Sequence, residues 1–233
     1  MGRSLGAGRQ RGDGVVALAV WTLLISYLIG AIPFSFLIPK LFYGIDITQH
    51  GSGNVGATNV VRTLGRVPGF TCFALDVAKG AGPVAAASWL GHAPGWLPVV
   101  AACGAIVGHS FSIFLRGKGG KAVATGVGTI LSLNVLAGIA VLAVWAIVFR
   151  LTRVVSIASI TAAVVLPGLV VAIPRPGLGA DPPAFVVYSI AAAVYVIVRH
   201  RSNIKRIMLG TEPRFGDRAR SDDPPGPGAA EGR

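Results

Sequence analysis

The sequence predicts an all-α polytopic membrane protein with seven transmembrane helices, its N-terminus outside and its C-terminus cytoplasmic. Three observations predict it. The 233-residue chain is 53% hydrophobic and only 13% charged, with mean hydropathy +0.68, whereas soluble domains carry about 25% charged residues. Apolar stretches recur along the chain at lengths close to the roughly 20 residues that cross a bilayer. Basic residues gather on alternate connections between those stretches. Together these exclude a soluble enzyme, a disordered chain and a nucleic-acid module. The net charge of +12 reads as basic loops at an inner membrane face, so the expected partner is the lipid bilayer and no nucleic acid.

Taken in order, residues 1–13 are Arg- and Gly-rich and read as a disordered tail. Apolar stretches follow at about 15–39, 67–90, 96–115, 122–134, 136–149, 154–173 and 184–198. The first is too long for a secretory signal, lacks a small-x-small cleavage site and runs on through Pro33 and Pro39. The fourth and fifth are short and share Asn134 as a turn, which makes the count six or seven. Residues 14–212 form one membrane domain, and 213–233 form a disordered cytoplasmic tail, because Pro, Gly and charge there leave nothing to bury. No internal repeat is visible. Cys72 and Cys103 stand in apolar runs without a CxxC or Cys/His cluster and read as small buried hydrophobes. With seven spans, one set of ends carries sixteen Lys and Arg and the other only Arg3, Arg9, Arg11 and Arg175. That asymmetry sets the orientation.

Three of the connections assigned to the cytoplasm are chemically unusual. The first, residues 50–62, holds Ser52, Gly53, Asn54, Thr58, Asn59 and Arg62. Small residues admit a ligand close to the backbone, consecutive amides can form an anion nest, and Arg adds a fixed fork for phosphate or carboxylate. The second is Arg116-Gly117-Lys118-Gly119-Gly120-Lys121 at a helix start, where free amides and full charges both suit phosphate. It is not a P-loop, since GxxxxGK[ST] does not fit. The third runs from Arg199 to Glu212 and places His200 and Asn203 three residues apart on one helix face. Each segment alone could be a simple turn or a basic anchor. Together, on one side of the membrane, they offer many donors and few acids, which suits a ligand with more than one negative charge.

The acidic residues are too sparse for metal chemistry. Within the spans only Asp76 appears, with Lys79 three residues on, so the two are expected to pair. No carboxylate pair suits a metal, the DxxD clusters of metal-dependent phosphatidyltransferases are missing, and no Gly-x-Ser-x-Gly elbow occurs. The His-x4-Asp pattern fails too, because Val55, Leu97, Phe114 and Lys205 follow His50, His92, His109 and His200 at that spacing. No metal and no cofactor are expected.

The segments 52–62 (SGNVGATNVVR), 108–125 (GHSFSIFLRGKGGKAVAT) and 200–212 (HRSNIKRIMLGTE) resemble the three signature segments of the PlsY family of bacterial acyl-phosphate:glycerol-3-phosphate acyltransferases. The likeness extends over residues 25–212. It departs in the second segment, where Ala122 stands in place of the family's Gly after Lys121. The resemblance implies a seven-span acyltransferase of the bacterial inner membrane, with its active site facing the cytoplasm. It would move a fatty acyl group from acyl phosphate to the 1-hydroxyl of sn-glycerol 3-phosphate, giving 1-acylglycerol 3-phosphate (lysophosphatidic acid) and inorganic phosphate, the first step of phosphatidic acid synthesis. Coupling to an enzyme that makes acyl phosphate would follow. Residue by residue, it implies catalytic roles for Ser52, Arg62, His200 and Asn203. Phosphate binding falls to Gly53, Asn54, Thr58, Asn59, Lys118, Gly119, Gly120 and Lys121, with Ser156 as a further functional serine. Glu212 is implied to be structural.

An acyl phosphate is already activated, so the protein's expected task is to hold two anions side by side and steady the charge that develops. The hydroxyl proton goes either to His200 or to the substrate's own phosphate; Arg201, Lys205 and Arg206 are expected to depress the histidine. Three other readings stay open at this point: a phosphate-ester transporter, a non-catalytic anionic-lipid scaffold, and an acyltransferase that uses acyl-CoA or acyl carrier protein.

Overall fold

A computed structural model describes residues 3–90, 94–173 and 182–216. His92, Arg175 and the stretch 217–233 lie outside the described residues. Ten α-helices are seen among the described residues: α1 (Arg3–Ala31), α2 (Phe34–Tyr43), α3 (Ala57–Leu64), α4 (Arg66–Ser88), α5 (Leu97–Ser110), α6 (Val123–Leu133), α7 (Val135–Thr152), α8 (Val155–Ala172), α9 (Pro182–Arg199) and α10 (Arg201–Met208). Helices therefore stand at all seven predicted apolar stretches. Four segments, with α1 and α2 joined as one, are long and apolar enough to cross a membrane, and α9 with α10 makes a fifth across a 59° bend. Helix α6 falls short because eleven residues rise only about 16 Å, against a hydrocarbon core of about 30 Å.

Two boundaries differ from expectation for physical reasons. Helix α1 begins at Arg3, inside the segment read as a tail, since turns added in front of an existing helix need no new nucleus. The first apolar stretch is broken at Ile32-Pro33, because proline lacks an N–H and pushes the residue before it out of helical geometry. Asn134 does end α6, and its side chain caps α7 by accepting the Ala137 N–H at 3.1 Å.

The break after α1 frees backbone carbonyls in an apolar setting, where an unpaired one is costly. Ser112 donates to the Ala31 carbonyl at 2.5 Å and Lys79 to the Ile32 carbonyl at 2.6 Å. Lys79 also pairs with Asp76 at 2.8 Å, both side chains being no more than 3% exposed, and Ser35 donates to the other Asp76 oxygen at 3.0 Å. Thus the charges in α4 are absorbed by the fold.

Helices α1 and α5 pack backbone to backbone: a Cβ at Gly108 would collide with the Tyr27 carbonyl, and one at Gly104 would come within 2.7 Å of the Leu23 carbonyl. Small residues permit that approach where no hydrophobic force separates helix from lipid. The buried core runs through Val84, Leu97, Ile130, Leu166 and Phe185. Large apolar side chains such as Trp21, Phe42, Ile147 and Val171 are exposed instead, the arrangement of a protein whose surroundings are themselves apolar. Cys72 is buried, but Cys103 is exposed, correcting the expectation of two buried thiols: a cysteine in an apolar helix can face lipid as readily as protein.

Candidate active site

The first donor-rich loop is folded by its own asparagine. Asn59, 1% exposed, accepts the Ser52 N–H at 2.9 Å and donates to the carbonyls of Ile47 (3.1 Å) and His50 (3.0 Å). Its amide was expected to meet a ligand; these bonds use both its donors and its oxygen, so it builds the loop instead. Gly53 takes a left-handed turn at φ 65°, open to glycine without strain. Beneath it Ile47, Val55, Val60 and Cys72 form a small buried cluster. The side chains of Ser52, Asn54 and Thr58 have no partner among the described residues. Thr58 and Arg62 share one face of α3, and Arg62 lies in the fields of Glu212 and Arg206.

The second loop is clamped from outside. Gly119 N–H donates to the Ser110 carbonyl at 3.1 Å and Gly120 N–H to the His109 carbonyl at 3.3 Å. Arg199 donates to the Gly119 and Gly120 carbonyls at 3.2 and 2.8 Å. The amides of this glycine pair were expected to be free for phosphate; they are spent on the end of α5. The glycines serve close approach instead, since a Cβ at Gly119 would strike the His109 carbonyl, and one at Gly120 would strike the His109 ring and the Val55 carbonyl. The first and second loops therefore touch. Ala122, the N-cap of α6, holds φ 57°, a left-handed conformation that costs an L-residue roughly 1–2 kcal/mol. Lys118 is exposed, with no side-chain partner among the described residues. Lys121 reaches across to donate to Asn203 Oδ1 at 2.5 Å. Burial, with Arg206, Arg62 and Arg199 adding repulsion against the pull of Glu212, lowers its pKa to about 8.

The third segment meets both loops around one carboxylate. Glu212 accepts from Ser156 (2.7 Å), Asn203 (2.6 Å) and Arg206 (2.7 Å). Burial alone would raise its pKa, but these three hydrogen bonds and the Arg206 charge hold it below the usual carboxylate value. Ser156 thus donates its hydrogen bond to Glu212, whereas the sequence reading had it meeting substrate. His200, 3% exposed, has Nδ1 2.8 Å from the Val196 carbonyl, so that nitrogen carries the hydrogen and Nε2 is left as an acceptor. Its pKa falls to about 4, from burial first and then the charges of Lys121 and Arg199. The expected depression is present; its causes are burial, Lys121 and Arg199, while Arg201, Lys205 and Arg206 are not among them.

Two further residues, outside the predicted site, take part. Arg199 opens the third segment but was not among the predicted site residues, yet it clamps the second loop while lying over the Phe111 ring at 5.6 Å. His109 was left open; it supports that loop by its carbonyl and ring, with Nδ1 3.0 Å from Thr125 Oγ1 and 3.9 Å from Asp76. Behind Ala122 an apolar cavity of about 50 Å³ is lined by residues including Ile130, Trp145, Leu166 and Tyr188. A rim rich in cations therefore stands beside an apolar cavity.

A family model described as glycerol-3-phosphate acyltransferase matches residues 20–210. The chain is 42% identical over 223 residues to the glycerol-3-phosphate acyltransferase of Acaryochloris marina (86% of this chain, 96% of the relative). It is 44% identical over 204 residues to that of Thermosynechococcus vestitus (83% and 93%). Among solved structures it is similar to PlsY (YgiH), an integral membrane glycerol 3-phosphate acyltransferase, in its glycerol 3-phosphate form: TM-score 0.76, 34% identity, covering 85% of this chain and 96% of that one. The lysophosphatidic acid form gives TM-score 0.75 at the same identity.

Proposed function

Because the chain belongs to the glycerol-3-phosphate acyltransferase family, we propose that it transfers a fatty acyl group from acyl phosphate to the 1-hydroxyl of sn-glycerol 3-phosphate, releasing 1-acylglycerol 3-phosphate and inorganic phosphate. On this reading the seven apolar stretches are the spans of a bacterial inner-membrane protein, the short α6 being completed by the loop before it and shielded by its neighbouring helices, with the three loops at the cytoplasmic face. The observation that carries this reading is the convergence of those loops: Lys121 bonds Asn203, Arg199 bonds the Gly119–Gly120 carbonyls, and Arg62, Arg199 and Arg206 all act on Lys121, with Glu212 the single carboxylate among them.

In the reaction the 1-hydroxyl oxygen attacks the acyl carbonyl carbon. A carbon–oxygen ester bond forms, the bond from that carbon to the phosphate oxygen breaks, and phosphate leaves with the electron pair. Ser52, Asn54, Thr58 and Arg62 hold one phosphate; Lys118, Lys121 and Asn203 hold the other, as preorganised donors aimed at developing charge. Neutral His200 presents Nε2 to the hydroxyl and orients it. With a pKa near 4 it is a weak base, so the proton passes to a substrate phosphate, whose second pKa lies near 6. The aliphatic tail lies along the apolar spans next to these loops. A phosphate-ester transporter would need polar groups free deep in the spans, whereas Asp76 and Lys79 are bound to each other and to the α1–α2 break.

Purified protein given glycerol 3-phosphate with palmitoyl phosphate, and separately with palmitoyl-CoA, tests the reading. Phosphate release with the first donor alone is the expected result; turnover with palmitoyl-CoA alone overturns the donor assignment. In the same assay, His200→Gln activity within about tenfold of wild type supports the substrate phosphate as proton acceptor, and a far larger loss returns that role to the histidine.

A further inference from the structure

The strap after α10 folds back onto the α7–α8 turn. Phe215 N–H donates to the Arg153 carbonyl at 2.7 Å, and its ring meets Phe149 edge-on, centroids 5.5 Å apart. Phe149 in turn stacks on Trp145 at 5.0 Å, a wall of the apolar cavity. Arg153 sits at φ 58° and ends α7, and that left-handed turn leaves its carbonyl to accept the strap. Three residues before Phe215, Glu212 binds Ser156 in the first turn of α8. The strap is therefore attached at two points to one helical hairpin, and one of the two is the carboxylate that also fixes Asn203 and Arg206. The family match ends at residue 210, five residues short of this anchor.

We propose that Phe215 is a positioning residue for acyl transfer: its docking on Arg153 and Phe149 fixes Glu212, and through Glu212 it sets Asn203 against Lys121. The proposal rests on the acyltransferase reading above. Phe215 touches no reacting atom. It acts by removing the freedom of a strap that would otherwise have to be ordered each time substrate binds. An aromatic or branched apolar residue at 215 fills the site beside Phe149, and alanine does not.

The test uses full-length protein carrying Phe215→Ala or Phe215→Leu. The expected result for Phe215→Ala is a KM for glycerol 3-phosphate raised about tenfold with kcat within about threefold of wild type, and Phe215→Leu restores most of the affinity. Tryptic cleavage after Arg206 should also quicken in Phe215→Ala and stay at the wild-type rate in Phe215→Leu, which reads the docking without reference to catalysis. An unchanged KM in Phe215→Ala overturns the proposal, as does a loss of folded protein and kcat in parallel with KM unmoved. If wild type transfers no acyl group from any donor while cleavage still quickens, the functional reading fails and the docking alone stands.

Discussion

Two ionic clusters in this protein are each built around one carboxylate, and they are finished differently. Around Asp76, Lys79 closes the charge at 2.8 Å, Ser35 takes the second oxygen, and the spare ammonium hydrogen goes to a broken helix end. Around Glu212 stand Arg206 and, nearby, Arg62, Lys121 and Arg199, so four cations share one acid. The first cluster is neutral and shut, as a bilayer interior demands. The second keeps a surplus that charge-assisted bonds to a phosphate would complete. Counting charged residues does not separate a structural cluster from a binding one; what separates them is whether the charges close.

The strongest way to break this contrast is to open the closed cluster. Lys79→Met leaves Asp76 buried without a counter-charge and should cost about 3–5 kcal/mol of stability, read as a lower melting temperature in detergent. The molecules that remain folded should keep their kcat. A melting temperature equal to wild type would mean that the pair is not closed.

Next, Lys121→Ala should lower kcat/KM for glycerol 3-phosphate by about 10²–10³-fold, the scale for one preorganised donor, with the melting temperature not lowered. Equal losses of stability in the two variants would erase the distinction between the clusters.

A finer probe is pH. With its pKa near 8, Lys121 in the free protein loses its charge above that value, and kcat/KM should fall about tenfold per unit beyond it. Lys121→Arg, which stays charged, should remove that limb. Stability should move the opposite way. The folded state binds fewer protons at Lys121 than the unfolded chain between about 8 and the ordinary 10.5, so this group makes the fold more stable as pH rises through that window. Neutral His200, at about 4, should add no acid limb near 6.5, and a limb there would be assigned to substrate phosphate.

The smallest effect separates backbone shape from charge at the open cluster. Ala122→Gly relieves the left-handed strain of about 1–2 kcal/mol but uncovers about 0.8 kcal/mol of buried methyl and loosens the unfolded chain by about 0.4–1 kcal/mol. The melting temperature should therefore move little, and kcat/KM should stay near wild type. Ala122→Val, branched at a positive φ, should lower both.

The helices were legible because a bilayer imposes length and polarity on every span: six of the seven apolar stretches match helix ends within a few residues, apart from the short turn that closes the third. The first does not, because Pro33 breaks it locally. The donor-rich loops were legible as a set, since their residue types are unusual at any membrane face. Which donors stay available was not. Asn59 and the Gly119–Gly120 amides look like ligand groups in one dimension, and only the folded chain shows them occupied. Arg199 and Phe215 were invisible for the same reason: their partners lie about eighty and sixty residues away, and no local pattern encodes such a distance.

The pairing in α4 also bears on how the chain enters its membrane. Asp and Lys at the centre of an inserting helix each disfavour insertion by roughly 2.5–3.5 kcal/mol, and the groups that receive them here, Ser35 and the Ile32 carbonyl, come from an earlier part of the chain. On the seven-span reading proposed above, α4 should leave the translocation machinery stably only once the preceding broken span, α1 with α2, is in the lipid to receive it. Insertion would then be ordered, and shifting the break at Pro33 should disturb the insertion of a segment more than forty residues downstream.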